Sequence, residues 1–122
     1  MSLKLAWGVS LLLLCGSIVS ADLVLPRKRE TDQRIPGLRT RSYTETFKGQ
    51  ERALVIVSGN WESCLGLYIF DARGNCVARD DRSGPQTADD LAVEWIPPEQ
   101  GRYSIEVRNG GVPENVYQIA VR

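Results

Sequence analysis

Six oxygen-bearing side chains lie in the middle of the chain and could bind a metal ion: Asp71, Asn75, Asp80, Asp81, Asp89 and Asp90. Calcium takes about six to eight hard oxygen ligands of this kind, and the loops at one end of a β-sandwich could bring several together. The spacing is not that of an EF-hand loop, which requires D-x-[DN]-x-[DN]-G. A solvated acidic loop fits the same residues, so calcium binding and simple hydration are both open.

Catalytic groups are scarce in this sequence of 122 residues, which contains no histidine. Ser-His and Cys-His nucleophiles are therefore excluded, and neither a G-x-S-x-G elbow nor a Gly-rich phosphate loop occurs. Zinc, copper and haem also lack their usual ligands. We expect a protein that is not an enzyme. The alternative is a small secreted hydrolase that pairs two carboxylates, for instance Asp81 with Asp90.

Trp61 is the aromatic residue best placed for binding, because its loop sequence, Gly-Asn-Trp-Glu-Ser, does not require a buried side chain. An exposed indole there could stack on a sugar or dock a partner, whereas a folded-back one would cover one end of the core. The other aromatic residues are dispersed and are not interleaved with basic ones. We therefore expect no binding of nucleic acid.

Residues 1–21 have the features of a signal peptide. Lys4 precedes an apolar run from Leu5 to Leu14, and small residues at 19–21 suit cleavage before Asp22. The run is shorter than the roughly 20 residues of a membrane-spanning helix, so we expect no transmembrane segment after cleavage. The predicted location is secreted or periplasmic. The alternative is a lipid anchor on Cys15, whose preceding leucines resemble a lipobox except at Leu14, where that motif has a small residue.

Two cysteines, Cys64 and Cys76, would remain in an oxidising compartment, where pairs of cysteines normally form disulfides. If the chain reverses between them, however, they lie roughly 20 Å apart at the usual rise of a strand. A disulfide requires Cα atoms within about 7 Å. We therefore expect no bridge, with Cys76 as a small buried residue and Cys64 as a free thiol.

Charge divides the mature sequence into two parts. Residues 22–42 contain six basic and three acidic residues, a balance of +3, whereas residues 43–122 have a balance of −4. Pro26, Pro36 and Gly37 interrupt the basic part, which is typical of a solvated linker. The alternative is an arm in which Arg27-Lys28-Arg29 holds the protein to an anionic polymer of the cell envelope.

Seven short segments with strand-like alternation follow, and none has helical periodicity. Their aliphatic faces predict a core that includes Leu65, Leu67 and Ile69 from one strand. Such regular spacing predicts an all-β fold, a sandwich or a small barrel. The segments are 42–47, 52–59, 64–71, 76–81, 91–96, 102–109 and 116–122.

A tight turn is expected between the third and fourth of these segments, at Asp71-Ala72-Arg73-Gly74-Asn75. Glycine and asparagine tolerate the positive φ of hairpin connections. The carboxylate of Asp71 is suited to cap the turn by accepting backbone hydrogen bonds.

Four segments taken in order resemble the bacterial pre-peptidase C-terminal domain family: FKGQERALVIVSG, LGLYIFDARGNCVARDD, LAVEWIPPEQGRYSIEVRNGG and VYQIAVR. The resemblance covers residues 43–122 and implies a jelly-roll-like β-sandwich of about seven to eight antiparallel strands. It also implies a role in secretion, localisation or polymer binding, with calcium held by acidic loops in some members. Cys64 and Gly66 stand where relatives often have acids, which weakens the calcium expectation.

The sequence as a whole predicts a secreted, non-catalytic β-sandwich module for binding or scaffolding. Its partner would be an extracellular polymer, an envelope component or another protein. Calcium is the one cofactor for which ligands are present. The sequence does not specify the ligand or the oligomeric state.

Overall fold

The computed structural model describes residues 28–81 and 90–122. Every regular element in this part of the chain is a β-strand, and it contains no helix long and apolar enough to cross a membrane. The strands are β1 (Lys28–Ile35), β2 (Thr40–Phe47), β3 (Ala53–Ser58), β4 (Leu65–Phe70), β5 (Cys76–Asp80), β6 (Asp90–Trp95), β7 (Gly101–Asn109) and β8 (Asn115–Val121).

The strands form two four-stranded antiparallel sheets with the orders β1-β8-β3-β6 and β2-β7-β4-β5. We call them sheet A and sheet B. Their order is that of a jelly roll, in which the chain passes repeatedly from one sheet to the other. The predicted all-β, jelly-roll-like sandwich is confirmed.

The core lies between the two sheets and is built by residues that alternate along each strand. Leu65, Leu67 and Ile69 of β4 are buried as predicted, because their side chains share one face of a pleated strand. The opposite face of the core comes from sheet A, including Val55 and Val57 of β3. Packing of the two inner faces fixes the register, since a shift of one residue would expose the whole aliphatic set.

The segment assigned to a basic linker differs from expectation. Residues 28–35 form β1, which pairs with β8 from Lys28–Val121 to Ile35–Asn115, and residues 40–42 begin β2. Ile35 is the only residue of β1 that is fully buried, so the strand lacks the apolar alternation that reveals the others. Asp32 has a φ of 54° where the ladder is irregular, which obscures the pattern further. Residues 22–27 and the predicted signal peptide lie outside the described residues.

Polar side chains join the two sheets where β1 faces β2, and we call this region the polar seam. The ammonium group of Lys28 lies 2.6 Å from a carboxylate oxygen of Glu45. The hydroxyls of Tyr43 and Tyr117 form a hydrogen bond between the sheets. Burial raises the pKa of both phenols, and for Tyr117 the hydrogen bond to Tyr43 raises it further.

These shifts predict loss of stability at alkaline pH. A raised pKa means that folded Tyr117 keeps its proton more tightly than the unfolded chain does. The contribution of Tyr117 to the free energy of unfolding is therefore complete below about pH 10, which is the pKa of an unfolded tyrosine. This contribution decreases as the pH rises above that value. Urea unfolding at a series of pH values should show this decrease, and Tyr117→Phe should make it shallower.

The decrease should not vanish in Tyr117→Phe, because Glu45 also raises the pKa of Lys28 in the same seam. Deprotonation of that lysine weakens the folded state in the same direction. An identical pH dependence in the wild-type and variant proteins would contradict a role for Tyr117.

Candidate binding surface

The turn between β4 and β5 uses the Asp71 carboxylate as its cap, as predicted. One oxygen accepts the backbone N–H groups of Arg73 and Asn75, both at 2.9 Å, and the other accepts the Asn75 side-chain amide at 3.3 Å. Gly74 has a φ of 88°, the left-handed conformation that glycine adopts without strain. The bond from the Asn75 N–H is the main cause that lowers the pKa of Asp71. Its carboxylate therefore supports the hairpin.

Three more of the predicted metal ligands, Asp80, Asp81 and Asp90, also have structural partners. Asp80 accepts a hydrogen bond at 3.1 Å from the backbone N–H of Ala92, which ties β5 of sheet B to β6 of sheet A. Asp81 accepts one from the hydroxyl of Tyr68 at 3.1 Å. Asp90 accepts one from Ser58 at 2.8 Å. Asp89 lies outside the described residues.

The structure does not bring the described members of the predicted metal-ligand set together at one end. Asp71 lines a shallow cleft together with residues 98–100, and its carboxylate accepts hydrogen bonds from Asn75. Asp81 follows the far end of β5, and Asp90 pairs with Ser58 at the end of β3. The two ends of a strand lie at opposite ends of the sandwich. Residues at the two ends of β5 are therefore far apart in space although they are close in sequence. Among the described residues no group of three His, Cys, Asp or Glu side chains could hold a metal ion.

The two cysteines lie at opposite ends of β4, and both are free thiols. Cys64 precedes β4, and Cys76 pairs with Phe70, the last residue of β4. Cys76 is exposed, and the expectation that it is buried was wrong. A bulge in β5 at Val77 places an extra residue between the pairs Ile69–Ala78 and Phe70–Cys76, which changes the face on which Cys76 lies.

Three large apolar side chains are exposed on loops at the end of the sandwich opposite the turn between β4 and β5. Leu38 is 69% exposed, Trp61 is 51% exposed and Val112 is 79% exposed. They belong to the loops 36–39, 59–64 and 110–114, which we call the apical loops, and the three side chains together are the apical surface. Of the two alternatives left open for Trp61, its 51% exposure agrees with the exposed indole and not with one folded over the core.

Asn109 fixes two of the apical loops to each other. Its buried amide donates to the carbonyl oxygens of Ile35, Pro36 and Pro113 at 3.2, 3.3 and 2.8 Å. Its side-chain oxygen accepts the N–H of Gly111 at 2.9 Å. One side chain thereby satisfies four backbone groups that would otherwise lose their hydrogen bonds to water.

Asn115 fixes the loop that contains Trp61. Its buried amide donates to the backbone oxygen and the hydroxyl of Ser63 at 3.3 and 3.0 Å. Its side-chain oxygen accepts the N–H of Asn60 at 3.2 Å. Trp61 therefore lies between two residues that are both held by one buried side chain.

Direct backbone contact completes the connection between Leu38 and Val112. The N–H of Leu38 donates to the carbonyl of Gly111 at 2.9 Å. A Cβ on Gly37 would lie only 1.8 Å from the carbonyl oxygen of Val112, so only glycine permits this approach. Leu38 and Val112 are held side by side.

The backbone is strained at two of the three exposed residues. Leu38 has a φ of 60° and Trp61 a φ of 66°, in the left-handed region that bulky side chains rarely adopt. Such strain persists only where the surroundings impose it, and it is typical of binding and active sites. Here the network of Asn109 and Asn115 imposes it on residues whose side chains point to solvent.

Most of the apical surface was not predicted from the sequence. Trp61 was a candidate binding residue, but Leu38 and Val112 were not. The signals were Pro36-Gly37 and Gly110-Gly111-Val112-Pro113, in which turn residues surround a single apolar one. Asn109 and Asn115 resembled ordinary turn residues because their partners on other segments are 52 to 74 positions away along the chain.

Comparison with known proteins shows a likeness at the level of the fold. The pre-peptidase C-terminal domain of a collagenase from Bacillus anthracis superimposes with a TM-score of 0.54 over 75% of this chain and 90% of that domain, at 16% sequence identity. No family model matches the chain, and no curated protein matches it. At this identity the likeness shows a β-sandwich of the pre-peptidase C-terminal type and no more.

Asn109→Ala should destabilise the protein by about 1–3 kcal/mol, because it leaves buried backbone carbonyls and an N–H without partners. Chemical denaturation measures this loss. Asn109→Asp is the more informative variant, since a carboxylate keeps the acceptor for Gly111 but opposes three carbonyl oxygens. It should be at least as unstable as the alanine variant. Asn75→Ala, in an exposed turn, is the control and should cost less.

Proposed function

We propose that the protein is an exported, non-catalytic module that binds an extracellular polymer or protein through its apical surface. The observation that carries this proposal is the combination at Leu38 and Trp61 of exposure, apolar character and strained backbone. If stability alone determined the backbone of Trp61, a negative φ would be expected, because a positive φ costs free energy in a residue with a bulky side chain. The rigid loops also reduce the entropy that binding would remove.

The apical surface is better suited to stacking than the aromatic residues on the outer face of sheet B. The guanidinium of Arg108 lies 4.0 Å from the ring centroid of Tyr68 and covers it. The hydroxyl of Tyr68 is bonded to Asp81. Trp61 is 51% exposed, and Leu38 and Val112 are exposed on loops at the same end of the sandwich, where they could contact the same partner.

The similar domain comes from a collagenase, and this suggests extracellular polymers as the first partners to test. The indole of Trp61 would stack on a planar sugar face or on proline-rich chain, and Leu38 and Val112 would contact the next unit. The basic-arm alternative is weaker, because Lys28 pairs with Glu45 and Glu30 rather than offering its charge to a ligand.

Binding should depend on the apical side chains. The purified protein would be sedimented with insoluble collagen, chitin or peptidoglycan, and the bound fraction measured. Trp61→Gly should abolish binding to the polymer that the wild type recognises, while thermal stability stays the same or rises, because glycine relieves the strained φ. Leu38→Ser and Val112→Ser should each weaken binding.

Ile96→Ser is the matched control, since Ile96 is 62% exposed but lies at the other end of the sandwich. It should bind as the wild type does. Undiminished binding by a variant that combines all three apical substitutions would contradict the proposal. An equal loss of binding in the Ile96→Ser control would contradict it as well.

Export has its own test. If the leader directs secretion, the mature protein recovered outside the cytoplasm should begin at Asp22. Mass spectrometry of the exported protein gives this residue directly. A chain that retains Met1 in the cytoplasmic fraction would contradict export, and a lipid-modified Cys15 at the N-terminus would favour the anchored alternative.

A further inference from the structure

Strand β3 is apolar on both of its faces. Val55 and Val57 point into the core, whereas Leu54 and Ile56 lie on the outer face of sheet A, where Ile56 is 40% exposed. An exposed sheet face normally places polar residues opposite the buried ones, and a continuous apolar run is typical of a strand covered on both sides. The sequence of β3 therefore indicates that the outer face of sheet A is covered by another layer.

The surroundings of Ile56 are small and flat. Its pairing partners are Ala92 on β6 and Ala120 on β8, and Ala120 in turn pairs with Arg29 on β1. A row from Ala92 through Ile56 and Ala120 to Arg29 thus crosses all four strands of the sheet. Ile56 projects from this row between two alanines, as a knob with shallow depressions beside it.

Charge is distributed unequally across the same face. Strand β6 forms one edge and has exposed Asp90 and Glu94 on either side of Ala92. Strand β1 forms the other edge and has exposed Arg29 in the row of Ile56. Glu94 also contacts Arg52 at 3.2 Å, but this pair is half-exposed and weak. One edge of the face is acidic and the other basic.

We propose that this face packs against the same face of a second copy of the chain. A two-fold axis that runs parallel to the strands, between β3 and β8, places Ile56 of each copy over Ala120 of the other. It also places Arg29 over Ala92, between Asp90 and Glu94. A two-fold axis in the plane of the interface but perpendicular to the strands would place the two acidic edges over each other, and likewise the two basic edges. The charges therefore favour the axis parallel to the strands.

The expected dimer is weak and depends on concentration. Sheets pack face to face at about 30° with their side chains interdigitated, and an isologous contact uses one self-complementary patch twice. One face of a four-stranded sheet with short strands is near the lower limit of stable interfaces, which is about 600 Å² per partner. Ile56 lies at its centre, where truncation has the largest effect.

Sedimentation velocity of the purified protein from micromolar to near-millimolar concentration tests the dimer. A reducing agent prevents cross-linking through the exposed Cys76 thiol. The wild type should shift from monomer to dimer as concentration rises, and Ile56→Glu should remove this shift. Ile96→Ser should retain it. All of these positions are exposed, so thermal unfolding should confirm that the variants fold.

A charge exchange tests the orientation of the two copies. Arg29→Glu and Glu94→Lys should each abolish the dimer, since like charges then meet across the axis. An equimolar mixture of the two variants should restore it, because both contacts regain opposite charges. A wild type that stays monomeric at the highest concentration would overturn the proposal, as would a dimer that survives Ile56→Glu or a mixture that fails to associate.

Discussion

The buried amide of Asn109 is the interaction on which the apical end of the sandwich depends. The polypeptide leaves β7 there and turns into β8 beside the connection between β1 and β2. Loops buried against one another lose water from their backbone groups, and each such group needs a partner. Asn109 has two donors and an acceptor, enough to satisfy groups from both loops at once. Aspartate or leucine of similar size could not do this.

The two long sides of the sandwich are closed by different means. On one side, the polar seam joins β1 to β2 through Lys28 and Glu45, and β8 to β2 through the tyrosine pair. On the other side, a hydrogen bond from the backbone N–H of Ala92 to the carboxylate of Asp80 joins β6 to β5. Aliphatic side chains fill the space between. Polar closure also protects the edges, because an edge strand with charged side chains is a poor template for aggregation.

Strand positions and core faces could be predicted from the sequence because they depend on local alternation. Leu65, Leu67 and Ile69 share a face whatever their partners are. Strand β1 could not be found in this way, since only Ile35 of its eight residues is buried and its pairing with β8 joins residues about 80 to 93 positions apart. The prediction that the acidic residues would form one site failed for a related reason. Their proximity in sequence suggested one site, but hairpin geometry sends Asp71 and Asp81 towards opposite ends.

The two proposed surfaces have a geometric relation that follows from the jelly roll. The apical loops lie beyond the ends of the strands, whereas the dimer face is the side of sheet A. A two-fold axis parallel to the strands leaves the direction along the strands unchanged, so both apical surfaces of the dimer face the same way. A polymer with repeated units could then contact two copies of Trp61 at once. The second contact is intramolecular, and weak binding at each surface becomes strong binding overall when the spacing of the units matches that of the indoles.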